Sequence, residues 1–151
     1  MDQPSRAIEW GGNEPGVPAC VEDEGMPEKC LCEPIETLFF PCSGASNVGQ
    51  ISNRVAVELT EENVGKMFCL AGIGGHVSGL IESTKAAKRI VGIDGYPVQC
   101  AKKTLEHAGL EVTDHVVATE LGIAKNHDLN LDPADVAKVK AAVRDSLGGA
   151  A

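Results

Sequence analysis

Thr37-Leu38-Phe39-Phe40-Pro41-Cys42-Ser43-Gly44-Ala45-Ser46-Asn47-Val48 holds one complete structural unit. Its first four residues fit a pleated, half-buried surface and predict a short strand. Pro41 and Cys42 end that run, and residues 43–47 are the small and polar side chains of a loop. Ser46 or Asn47 can offer an oxygen to the free N–H groups that open a helix. Val48, Ile51, Val55 and Leu59 then step by three and four, the stripe of a helix with one buried face.

The same order recurs along the chain. Met67-Phe68-Cys69-Leu70-Ala71 predicts a second strand, closing in the glycine loop Gly72-Ile73-Gly74-Gly75, with Val77, Leu80, Ile81 and Thr84 as the next helical stripe. Arg89-Ile90-Val91-Gly92-Ile93 predicts a third strand ending at Asp94-Gly95. Pro97, whose fixed φ suits a first helical turn, precedes the face Val98, Ala101, Leu105 and Ala108. Residues 112–119 predict a fourth strand. Asp132-Pro133 is a cap and first-turn pair for the last helix, whose face is Val136, Val139, Val143 and Leu147. This alternation predicts an α/β domain of three layers: a mainly parallel sheet of four or more strands with helices on both faces and right-handed crossovers. The order of the strands stays open. Such sheets place their sites outside the carboxyl ends of the strands.

Composition narrows the function. Thirteen basic and 22 acidic side chains among 151 residues leave a formal charge of −9. That balance argues against nucleic acid and against an anionic membrane surface, both of which are bound through clustered cations. Aromatic residues are only 3%, too few for a base-stacking platform. No run approaches the ~18 apolar residues of a membrane span, and the acidic start, Met1-Asp2-Gln3-Pro4-Ser5, has no apolar leader core. The expected location is the cytoplasm. Residues 1–34 hold five of the eight prolines and no sustained hydrophobic period, and read as an irregular N-terminal arm. Residues 35–147 form the expected domain, and 148–151 a tail. The arm, acidic and proline-rich, is either a solvated segment or a docking segment for a protein partner, which would make the chain a non-catalytic subunit.

Six cysteines require a chemical account. In a reducing compartment they bind metal or react more often than they form a disulfide framework. Cys42 follows the first strand. Cys69 lies in the second, three residues before its glycines. Cys100 is expected one turn into the helix behind the third. Each one singly reads equally well as a small buried hydrophobe. Together they predict three sulfurs at one sheet edge, a donor set suited to Zn²⁺. Asp94 and His76 stand at strand ends as further candidate ligands. Residues 43–47, with Ser43 and Gly44, and the glycines with Gly74 and Gly75 are expected to rim a small anion- or metabolite-sized cleft. Of the other histidines, His107 reads as a helix-end residue, His115 as structural and His127 as solvated. Cys30-Leu31-Cys32 and Cys20 in the arm form a second metal site, complete the first, or do neither.

Rival chemistries fail on single residues. A cysteine-phosphatase cradle needs arginine where Val48 stands, and a phosphate loop needs lysine where Gln50 stands. No Cys-x-x-Cys is present. A thiol-redox or sulfur-handling role for Cys42 and Cys100 survives as the alternative, because helix N-termini favour thiolates.

Pro41-Cys42-Ser43-Gly44-Ala45-Ser46-Asn47-Val48-Gly49-Gln50, Phe68-Cys69-Leu70-Ala71-Gly72-Ile73-Gly74-Gly75 and Ile93-Asp94-Gly95-Tyr96-Pro97-Val98-Gln99-Cys100-Ala101-Lys102-Lys103 together resemble the DGC-domain family, small prokaryotic proteins taken to bind zinc. The resemblance runs from about Leu38 to Lys125. It implies zinc held by four cysteines, without a stated reaction. Three of the four carry over, to Cys42, Cys69 and Cys100. The fourth does not: the Asp-Gly-Cys pattern reads Asp94-Gly95-Tyr96 here. A phenol that keeps its proton near neutral pH is a poor ligand. The fourth position is left to Asp94, His76, a water or an arm cysteine, and a site holding water is the arrangement of catalytic zinc.

Overall fold

Leu38, Phe39 and Phe40 are fully buried although their side chains alternate across the sheet, so both faces of the first strand are covered. The structure, a computed structural model, describes residues 36–148. The arm with Cys20, Cys30 and Cys32, and tail residues 149–151, lie outside the described residues. Strands β1 (Thr37–Pro41), β2 (Lys66–Met67), β3 (Arg89–Asp94) and β4 (Asp114–Val117) form one all-parallel sheet in the order β2-β1-β3-β4. Five α-helices accompany them among the described residues: α1 (Asn47–Glu61), α2 (Leu70–Gly74), α3 (Ser78–Lys85), α4 (Cys100–His107) and α5 (Pro133–Ser146). The α/β architecture expected from the alternation is therefore present.

Two cores lie on opposite faces of the sheet. Phe39, Val91, Ile93 and Val116 pack with Val48, Ile51, Val55 and Leu59 of α1 and Val136, Val139 and Val143 of α5. Leu38, Phe40 and Ile90 pack with Ile73 of α2 and Leu105 of α4, with Leu80 and Ile81 of α3 against them. Each fully buried side chain of this size contributes about 2 kcal/mol of transfer free energy. Over α1 and α5 the Lys140 ammonium lies 2.8 Å from Glu58 and 2.9 Å from Glu62, and Arg144 lies 2.6 Å from Glu62. No described helix is long and apolar enough to cross a membrane.

The strand order fixes where a site can form. From β1 the chain passes to β2 on one side, and then returns to β3 on the other side of β1. The β1–β3 pair, in register from Thr37 opposite Arg89 to Pro41 opposite Ile93, is thus the switch point. Crossovers diverge there to opposite faces and leave a crevice at the strand ends.

Three expectations need correction. The second strand does not run through residue 71: pairing with β1 stops at Met67, and residues 70–74 are helical, so the glycines 72 and 74 are helix residues and Gly75 its C-cap. Cys69 is accordingly not inside a strand but the N-cap of α2. Its sulfur accepts the Gly72 N–H at 3.3 Å, a local bond that lets the helix start early. The helix expected to start at Pro97 is α4, and Cys100 is its first residue. Pro97 sits instead in a turn closed by the Gln99 N–H on the Tyr96 carbonyl at 3.1 Å, a position its fixed φ suits equally well. The fourth strand is shorter than expected, since Ala118–Leu121 winds into a 3₁₀ turn.

Candidate functional site

Cys42 and Cys100 come together at the switch point. The Cys42 N–H donates to the Ile93 carbonyl at 2.7 Å, the last rung between the two central strands. Its thiol donates weakly to the Ser43 carbonyl at 3.7 Å. Cys42 is only 8% exposed, whereas Cys69 and Cys100 are exposed. Burial pushes the Cys42 thiol above the ordinary cysteine range; the Gly95 backbone N–H facing the sulfur opposes this, and the neighbouring Asp94 carboxylate and Cys100 thiol add to it. Cys42 therefore holds its proton at neutral pH.

Asp94 is the residue that brings Cys100 there. Its carboxylate is 1% exposed and accepts the Ala101 N–H at 2.8 Å on one oxygen and the Lys102 N–H at 3.1 Å on the other. These are the unsatisfied donors of the first turn of α4, so Asp94 caps that helix from outside it. The same second oxygen lies 3.0 Å from His115 Nε2. Both oxygens are thus engaged, one with α4 alone and the other with α4 and His115 of β4. Gly95 has a separate role. A Cβ there would meet the Gly49 nitrogen and the Val48 carbonyl carbon, both backbone, at 3.0 Å. Only glycine lets the end of β3 lie this close to the start of α1.

The remaining predicted residues are distributed around this pair. Ser46 caps α1, accepting the Gly49 N–H at 3.4 Å. Gln50 reaches back to donate to the Gly44 carbonyl at 2.9 Å and to Ser43 Oγ at 3.5 Å, which closes the loop after β1 on itself. Gly74 and Gly75 end α2, and a Cβ on Gly74 would touch Thr104 of α4 at 3.4 Å. They mark the far end of that helix from Cys69. His76 lies beyond them, its ring 5.3 Å from that of His107 at the last residue of α4. The axial length of α4 puts His107 about 10 Å from Cys100. Tyr96, in the position of the missing cysteine, packs partly buried on the α1 side of the sheet with the Lys125 ammonium 3.5 Å from its ring centroid. Among the described residues no three His, Cys, Asp or Glu side chains are gathered closely enough to hold a metal ion.

One tether escaped sequence reasoning. Asn47, 6% exposed, donates through Nδ2 to the Ala124 carbonyl at 2.9 Å and accepts the Asn126 N–H at 2.7 Å. His127 Nδ1 lies 2.8 Å from the Ala45 carbonyl. The segment after β4 is thereby fastened to the start of α1, which carries Lys125 to Tyr96. Asn47 offered a signal only as a cap; its partners lie almost eighty residues away.

A family model described as the DGC domain matches residues 38–143. The anaerobic and virulence modulator AnvM of Pseudomonas aeruginosa strain PAO1 is 31% identical over 102 residues, which cover 68% of this chain and 78% of that protein. No solved structure matches. The edge that carries Cys42, Cys69, Asp94, Gly95 and Cys100 lies within the matched segment, and the chain belongs to the DGC-domain family.

Proposed function

We propose that this protein is a small cytoplasmic metal-binding protein that holds a thiophilic divalent ion, zinc foremost, at the carboxyl edge of its sheet. The observation that carries the reading is the approach of Cys42 and Cys100 at the β1–β3 crevice. Two sulfurs within reach of one another fit a borderline-soft ion. Cys69, exposed at the start of α2, and the arm cysteines are the further thiols of the chain. Bound zinc would clamp the two central strands to α4, or supply a Lewis acid if one position holds water. The relative's printed name, a modulator, accords with an accessory or responsive role. The test is metal analysis of anaerobically purified full-length protein. About one zinc per chain is expected, lost in Cys42→Ser and Cys100→Ser but retained when Cys20, Cys30 and Cys32 are replaced together. Tyr96→Cys, which restores the fourth thiol of the family pattern, should raise zinc affinity. Full zinc occupancy in a Cys42→Ser/Cys100→Ser double variant would falsify the reading.

The same approach supports a second reading, a dithiol that cycles to a disulfide. Oxidation would join the two sulfurs, releasing two protons and passing two electrons to an external disulfide such as that of glutathione. Exposed Cys100 would make the first attack, because Cys42 is buried and holds its proton. A metal-free protein whose Cys100 reacts rapidly with thiol reagents, with no effect of chelator, decides for this chemistry over zinc.

A further inference from the structure

Three helices end on a residue in the left-handed region that is of the usual kind: Asn63 after α1, Gly109 after α4 and Gly148 after α5, with φ of 58°, 74° and 93°. The exception is α2, which ends on His76 at φ 54°. The Val77 N–H donates to the Gly72 carbonyl and the His76 N–H to the Ile73 carbonyl, both at 3.0 Å, the paired bonds of a Schellman cap. The position is one that glycine fills without strain, and glycines stand at 74 and 75, immediately before it. Histidine enters this region more readily than most side chains, though at some cost relative to glycine.

What the departure achieves is a contact. The cap aims His76 across to α4, where its ring meets His107 at 5.3 Å between centroids and 66° between planes. Both residues are exposed. The other two histidines are each held, His115 by Asp94 and His127 by the Ala45 carbonyl. Among the described residues neither His76 nor His107 has a side-chain hydrogen-bond partner. The spacing, ordinary for an edge-to-face ring pair, also admits a chelate. Two imidazoles bound at metal–nitrogen distances of about 2.1 Å, with a tetrahedral angle between them, have centroids roughly 5.2 Å apart. Gly74 of α2 faces Thr104, one turn before His107 on α4.

We infer that His76 and His107 form a surface site for a nitrogen-preferring divalent ion of the nickel, copper or zinc class, the remaining positions being filled by water. It is independent of the thiol pair, since it lies at the opposite end of α4 and uses no sulfur. The test is a titration of the full-length protein with Ni²⁺, followed residue by residue through the imidazole resonances in NMR. Paramagnetic broadening of His76 and His107 should occur together, at lower nickel than broadening of His115 and His127. In His107→Gln the nickel needed to broaden His76 should rise by about tenfold or more, the loss of the second arm of a chelate. His76→Gly should melt at a higher temperature than the wild type and lose the early broadening of His107, which separates the site from any loss of fold. Broadening of all four histidines in parallel, or a His76 response unchanged by His107→Gln, would overturn the inference. Nickel taken up at the thiols would act first on His115, whose ring lies on Asp94 at that edge, and so does not imitate a positive result.

Discussion

Asp94 Oδ2 lies 3.0 Å from His115 Nε2 and 3.1 Å from the Lys102 N–H, so one buried oxygen joins the end of β3 to both β4 and the start of α4. Cys100 begins the helix that this carboxylate caps. The separation of Cys42 and Cys100 is therefore set by a group that is neither of them.

Asp94→Asn removes the charge while nearly keeping the shape. The buried first-turn N–H groups and His115 then lose a charge-assisted acceptor, and stability should fall by about 2 kcal/mol in urea unfolding. Oxidation of the Cys42–Cys100 pair by glutathione disulfide should also slow as Cys100 loses its fixed position. A stability change within the noise of the measurement would mean that α4 is anchored elsewhere.

Gly95→Ala places a methyl carbon 3.0 Å from two backbone atoms of α1. Backbone cannot swing aside as a side-chain tip can, so the cost should be about 1–3 kcal/mol. Gly79→Ala, at a site where a Cβ meets nothing within 4 Å, is the matched control and should be close to neutral or stabilising.

On the proposed zinc reading, affinity should rise with pH. Binding requires thiolates, and burial raises the Cys42 pKa above its usual 9.0, so at neutral pH a proton must leave when the ion enters. Competition titrations at successive pH values should show tighter binding at each step up through neutrality, with proton release in unbuffered solution. A flat profile would remove Cys42 from the ligand set.

Lys140→Met tests the ion cluster over α1 and α5. Hydrogen bonds from Lys140, then from Arg54, hold Glu58 below its usual 4.5, against the opposing effect of burial; Glu58 and Glu62 raise Lys140 above 10.5. A lowered carboxylate contributes stability above 4.5 that is lost as pH falls through its lower folded value. A raised lysine contributes below 10.5 and loses that contribution as pH rises through its higher folded value. The variant should be less stable at neutral pH by about 1 kcal/mol or less, with the difference shrinking in high salt and vanishing in strong acid. A deficit that persists below the carboxylate range would point to lost packing of the lysine stem.

The sequence by itself determined the class of fold and most of each helix face, because these depend on local periodicity, caps and turn chemistry; Val77 and Val98, read as face residues, lie outside their helices and are exposed. Val48, Ile51, Val55 and Leu59 are all buried as their spacing requires, Asp132 is the cap it was read to be, and of the two residues offered for α1 Ser46 is the cap. It misjudged the start of α2, where a short apolar run with glycines fits strand and helix alike, and the place of Pro97, whose φ serves a turn as well as a helix. Tertiary structure alone decided which distant residues meet. The order β2-β1-β3-β4 set Cys42 beside Cys100; the two oxygens of Asp94 drew it to α4 and His115; the cap of α2 turned His76 toward His107. Such meetings follow from how crossovers pass over a sheet, and no spacing along the chain encodes them.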